Sequence, residues 1–156
     1  MTKLDPDFSE FVASFVDNDV RFLIIGGYAM AAHGLPRATG DLGAWIWISS
    51  ENAKKVLEAL NGFGFSNLGL TIEDFNREDS VVQLGYPPYR IDILTSISGV
   101  AFEDAWQNRI IVDLDGIQVP FIGREDLVTN KRATSRPQDI ADVTRLTQSH
   151  EIPLKY

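Results

Sequence analysis

The 156-residue chain contains no cysteine. A disulfide framework, a thiolate metal site and a cysteine nucleophile are therefore excluded. Histidine is nearly as scarce: His33 and His150 are the only two, too few for a multi-histidine zinc centre. Positive charge is in short supply, with 14 Lys and Arg against 22 Asp and Glu and a net charge of -8. That balance disfavours nucleic acid and anionic membranes as partners, although a local basic patch can still hold a small polyphosphate. No apolar run is long enough to span a bilayer, and the opening M-T-K-L-D-P-D lacks the apolar stretch of a signal peptide. A cytoplasmic protein is the default expectation.

What is present fits an ordinary globular chain. The hydrophobic fraction is 44% and the charged fraction 23%, which argues against disorder. The length suits one domain over residues 1–156 with a single core. Asp5-Pro6 is a helix start, an N-cap acceptor followed by proline at the first helical position. Phe8, Phe11, Val12, Phe15 and Val16 then recur at helical spacing. Arg21–Ile25 reads as a buried strand, Gly27–His33 as a short helix stopped by Gly34 and Pro36, and Leu42–Ile48 as a second strand. Ser49 or Ser50 caps a helix that buries Ala53, Val56, Leu57 and Leu60 and ends at Gly62. Further strands are expected at Ser80–Leu84 and Tyr89–Leu94. A helix from Phe102 gives way to a strand near Arg109. Asp115-Gly116 signals a type I′ hairpin turn. Pro120 suggests that the strand after this turn lies at a sheet edge. Two helices, near Arg124–Ala133 and Pro137–Thr147, close the chain.

Three features carry chemistry. Gly26-Gly27 sits between a strand and a helix, where glycine permits close backbone approach and free amides attract anions. Alone it is more often just a turn. Asp41 opens the next strand and can offer oxygen ligands to a divalent cation; a lone aspartate there is more often a loop cap. Asp92 lies between Ile91 and Ile93, so strand alternation puts it on the face opposite both. A carboxylate in an apolar strand needs a partner, a solvated face or a metal. If the two strands are neighbours, Asp41 and Asp92 can converge on one ion. His33, at the end of an apolar helix, reads as structural. Trp45 and Trp47 read as core and sheet-face residues, or as an aromatic beside a site for a base.

The string G-G-Y-A-x-x-x-H-G-x-x-R-x-T-x-D-L, from Gly26 to Leu42, resembles the nucleotidyltransferase superfamily. It is most similar to the small bacterial branch with lincosamide- and aminoglycoside-type enzymes and abortive-infection toxins. The segment N-K-R-A-x-x-R-P-x-D-I-A-D near the end of the chain also resembles that branch, so the likeness runs from Phe22 to about Leu146. It implies an α/β (α+β) fold with a mixed twisted sheet packed by helices. It also implies transfer of a nucleoside monophosphate from a nucleoside triphosphate to a hydroxyl, with two Mg2+ ions held by three carboxylates. On this resemblance Asp41 and Asp92 are the catalytic and metal residues. Gly26, Gly27, Arg37, Thr39 and Lys131 bind the nucleotide, Lys131 within a basic cluster that includes Arg132 and Arg136. The acceptor is unassigned, and a second copy of the chain or a partner protein is expected to complete its side of the site.

The departure is Gly43, where the superfamily places its second carboxylate. Glycine offers no ligand. Three readings remain: a non-catalytic module that binds a nucleotide or a protein, such as a toxin–antitoxin component; a substitute carboxylate from Asp74 or Asp79; or a position altered in this version of the chain.

Overall fold

The Phe8, Phe11, Val12, Phe15 stripe forms one face of helix α1 (Pro6–Asp17), and all four residues are buried. Phe15 meets Phe22 edge-on with ring centroids 5.3 Å apart, so the helix lies on the face of the sheet that Phe22 presents. The computed structural model describes residues 6–35, 40–63, 68–86, 89–134 and 136–151. Asp5, the expected cap, lies outside them. The remaining elements are β1 (Phe22–Ile25), α2 (Gly27–Ala32), β2 (Asp41–Ile46), α3 (Ser50–Phe63), α4 (Ile72–Phe75), β3 (Val81–Tyr86), β4 (Tyr89–Leu94), α5 (Phe102–Gln107), β5 (Ile110–Leu114), β6 (Ile117–Phe121), α6 (Arg124–Thr134) and α7 (Pro137–Glu151). Among the described residues no helix is long and apolar enough to cross a membrane.

The six strands make one mixed sheet in the order β3-β4-β2-β1-β6-β5. β1 and β2 are antiparallel, with Leu23 opposite Trp45 and Ile25 opposite Gly43. β2 and β4 are parallel, with Asp41 opposite Arg90 and Gly43 opposite Asp92. Alternation along each strand then assigns the faces. Phe22, Ile24, Leu42, Ala44, Ile46, Ile91 and Ile93 point towards α1 and α3 and are buried. Ile25, Asp41, Gly43, Trp45, Arg90, Asp92 and Leu94 share the other face. There Trp45 packs edge-on against Phe102 of α5, centroids 5.0 Å apart.

The β1–β2 register is locked from outside the sheet. Buried Asn52 of α3 accepts from Arg21 N (2.8 Å) and donates to Arg21 O (3.1 Å) and Trp47 O (2.8 Å). Of the two expected caps, Ser49 is the one used: its Oγ accepts from Asn52 N at 3.0 Å. The helix runs one residue past the expected stop at Gly62, to Phe63, whose ring meets Phe11 edge-on at 6.1 Å.

Asp115 and Gly116 both have positive φ, 54° and 89°, as a type I′ turn requires. The edge position expected from Pro120 is corrected: β6 is interior, between β1 and β5, and Pro120 is buried. Ile122 N donates to Ile24 O, so by alternation the nitrogen of residue 120 also faces β1. The parallel β1–β6 ladder has one registered pair, Ile24 with Phe121, and therefore tolerates a missing donor.

Candidate active site

Gly26 has φ 75° and ψ -145°, a conformation that side-chain-bearing residues rarely adopt. This bend turns the chain from β1 into α2 and brings Gly26 and Gly27 to the rim of a cleft of about 810 Å³, a volume typical of small-molecule sites. The cleft lies on the sheet face that carries Asp41, Gly43 and Asp92, all of which line it. Its far wall is α6, through Leu127, Asn130, Lys131 and Thr134, with Arg136, Gln138 and Asp139 following. The loop Ser96–Ser98 forms a third side and is tied to α6 by Asn130 Nδ2 donating to Ser98 O at 3.0 Å.

Asp41 and Asp92 do converge, and the group on which they converge is Arg90. Its Nε donates to Asp92 Oδ1 at 2.8 Å, and its Nη2 to Asp92 Oδ2 and Asp41 Oδ2, both at 3.2 Å. The hydrogen bond to Asp92 and its charge, then the Asp41 charge, hold the guanidinium pKa above its ordinary value. Arg90 is a site residue that the sequence reading missed. The available signal was its spacing: residues 90 and 92 of a strand point the same way.

Gly43 leaves no vacant socket. A Cβ there would lie 3.0 Å from Ile25 Cγ1, 3.5 Å from Ile25 Cδ1 and 3.6 Å from Ile25 O. The side chain of the cross-strand neighbour has taken that space. Of the two substitute carboxylates, Asp79 lines the cleft. Asp74 instead accepts from Thr71 N at 2.7 Å in a capping box and pairs with Arg77. Among the described residues no three acidic or imidazole side chains gather closely enough to hold a metal. Asp41 and Asp92, spanned here by one cationic group, are the two carboxylates that a divalent ion could share in this cleft, and among the described residues no third stands close enough to complete a two-ion set.

The basic cluster is split by the geometry of α6. Arg132 lines a separate groove with Arg124 and Val128, whereas Lys131 and Arg136 line the cleft. Lys131 Nζ is buried between Asp139 Oδ1 (3.3 Å) and Asp142 Oδ2 (3.0 Å) of α7. Arg136 Nε reaches Asp139 Oδ2 at 2.7 Å, and its side chain is 72% exposed; it is the cation most open to a ligand in this wall. Arg37 and Thr39 lie outside the described residues. Trp45 shares the cleft's sheet face but is buried against Phe102 of α5, and Trp47 stacks on Arg21 (4.7 Å) beside Trp106; neither lines the cleft.

Burial pushes the Asp139 carboxyl pKa up. Hydrogen bonds from Thr134, Arg136 and Lys131, with the Lys131 charge, outweigh it and hold the group at about 2 against an ordinary 3.8. A depressed carboxyl pKa adds stability above the unfolded value and loses it as pH falls. Thermal unfolding should therefore show about 2 kcal/mol from this group above pH 4, lost between about pH 4 and pH 2. An Asp139→Asn protein, measured beside the unmodified chain, should show a shallower decline across that window.

His33 is structural, as expected from its position. It is buried and its Nε2 donates to Ile122 O at 2.9 Å. Burial lowers its pKa, against the bond to Ile122. Arg124 adds a bond to His33 O (3.3 Å) and one to Leu146 O (3.1 Å), so the end of α2, the start of α6 and α7 meet at one point.

The architecture has solved counterparts. The lincosamide antibiotic adenylyltransferase LnuA, in a lincomycin-bound crystal structure, superposes with a TM-score of 0.58 at 14% identity, over 96% of this chain and 99% of that one. A nucleotidyltransferase candidate from Thermotoga maritima gives 0.56 at 13% identity, over 92% and 90%. An antigenic nucleotidyltransferase-like protein from Paracoccidioides brasiliensis gives 0.51 at 15% identity, over 91% and 75%. These likenesses establish the α/β fold with its mixed sheet. No curated protein matches the chain in sequence. The family model that does match spans residues 2–156, and the chain accordingly belongs to the nucleotidyltransferases of unknown function grouped as DUF6036.

Proposed function

We propose that the cleft binds a nucleoside triphosphate with Mg2+ and transfers its nucleoside monophosphate to a hydroxyl, far more slowly than a site with three carboxylates would. The observation that carries this reading is the placement of Asp41 and Asp92. They stand on neighbouring parallel strands, joined through one guanidinium and beside the Gly26-Gly27 turn, in a cleft of a nucleotidyltransferase-family chain. Asp41, Asp79, Asp92 and Asp139 against Lys131 and Arg136 leave the lining acidic, so a triphosphate needs an added cation to enter. Asp41 and Asp92 would hold one Mg2+. When bound, the ion neutralises the triphosphate and favours departure of pyrophosphate.

The chain's own groups do the rest. The bend at Gly26 lets backbone approach the phosphates. Arg136 offers an exposed guanidinium to them, and Lys131, with two N–H groups committed to carboxylates, offers its third. Asp41 or Asp92 accepts the acceptor's proton as the hydroxyl oxygen attacks the α-phosphorus. The α–β phosphoanhydride bond breaks and pyrophosphate carries away the electron pair. A second copy or a partner protein flanks the acceptor side. Transfer of labelled nucleotide, with pyrophosphate release dependent on Mg2+, tests the reading.

Gly43 favours a second reading: a binding module of the same fold, for a nucleotide or as one half of a toxin–antitoxin pair. Mg2+-dependent nucleotide binding without any transfer, under conditions where a repaired variant is active, would select it.

A further inference from the structure

Three of the four oxygens of Asp41 and Asp92 accept hydrogen bonds from Arg90. The guanidinium keeps its charge at any physiological pH, and its backbone nitrogen is pinned to Gly40 O at 3.0 Å. With a carboxylate at position 43 the cluster would keep strong negative charge after this pairing. With Gly43, one guanidinium offsets half the charge of the two carboxylates. The oxygens that would receive a divalent ion are thus already bonded to a resident cation, and their pull on a second one is weakened.

We propose that Arg90 competes with the divalent cation for Asp41 and Asp92, so that metal and nucleotide bind as a pair. This deepens the nucleotide-site reading and rests on it for the nucleotide half. A triphosphate gives the guanidinium an alternative anionic partner, two of whose oxygens its planar fork can meet together. Drawing Arg90 from the carboxylates exposes them to the metal that accompanies the nucleotide. Without nucleotide the side chain stays on the carboxylates and excludes the ion.

The test is Mn2+ affinity of the full chain, read from the free-ion electron paramagnetic resonance signal. Unmodified protein, Arg90→Gln, Arg90→Lys and Arg90→Gln/Asp92→Asn are compared, with folding checked by circular dichroism. Without nucleotide, Arg90→Gln should bind Mn2+ about tenfold more tightly than the unmodified chain or more. Arg90→Lys, which keeps the charge, should gain much less, and the double variant should lose the gain. A non-hydrolysable nucleoside triphosphate should raise Mn2+ affinity in the unmodified chain and do so less in Arg90→Gln. Equal or weaker Mn2+ binding by nucleotide-free Arg90→Gln would overturn the proposal and make Arg90 a support for the carboxylates. Failure of every nucleotide to bind the unmodified chain would instead remove the nucleotide-site reading, while the nucleotide-free comparison still decides the competition.

Discussion

Replacing Lys131 by Met should cost about 3–5 kcal/mol of folding stability, a large share of what a domain of this size has. The lysine ammonium lies between Asp139 and Asp142, whose side chains are each only 3% exposed. Removing it leaves two buried carboxylates side by side on α7, facing α6 without the cation they share. Arg136 and Thr134 still serve Asp139, which keeps the loss from being larger. Denaturant unfolding measures the effect directly. Pairing the change with Asp142→Leu should return part of the loss, because replacing a buried ion pair by apolar groups is far milder than breaking it. A loss below about 1 kcal/mol in Lys131→Met would place this pair with ordinary surface bridges.

The second large effect is on rate. Gly43→Asp alone should give little transfer activity, and Gly43→Asp with Ile25→Ala should give about a thousandfold more than the unmodified chain, equivalent to roughly 4 kcal/mol at the transition state. The reason is steric. A Cβ at residue 43 meets Ile25 Cγ1 at 3.0 Å, so the new side chain must push the Ile25 γ-methylene aside, at an overpacking cost of about 1–3 kcal/mol. Ile25→Ala removes that carbon. A four-member cycle measured by nucleotide transfer should show strong positive coupling between the two positions. Additive effects, or full activity in Gly43→Asp alone, would mean that Ile25 yields freely and does not guard the gap.

These two sites differ in how far the sequence exposes them. The Gly26-Gly27 bend, Asp41 at a strand start and Asp92 on the polar face of its strand follow from local pattern. Helix and strand positions follow for the same reason, because periodicity is a property of neighbouring residues. The fate of each charge does not. Arg90 carries no signal of its link to both carboxylates until the β2–β4 register brings Asp41 opposite it. Lys131 stands in the sequence as one cation of a basic cluster, and only the fold-back of α7 supplies the carboxylates eight and eleven residues onward. Pro120 signalled an edge because the rule concerns a lost donor, whereas here the lost donor falls where the β1–β6 ladder is short. Ile25 filling the space beside Gly43 depends on cross-strand register, which strand propensity leaves open.

The cleft beside Asp41 and Asp92 is proposed above as a nucleotide site. Isothermal titration of each of the four common nucleoside triphosphates into the unmodified chain, once with Mg2+ and once with a chelator, decides the point. Saturable binding of at least one triphosphate is expected with Mg2+, lost in the chelator and weakened in Asp92→Asn. Absence of binding by all four in Mg2+, from a chain that melts cooperatively, would contradict it.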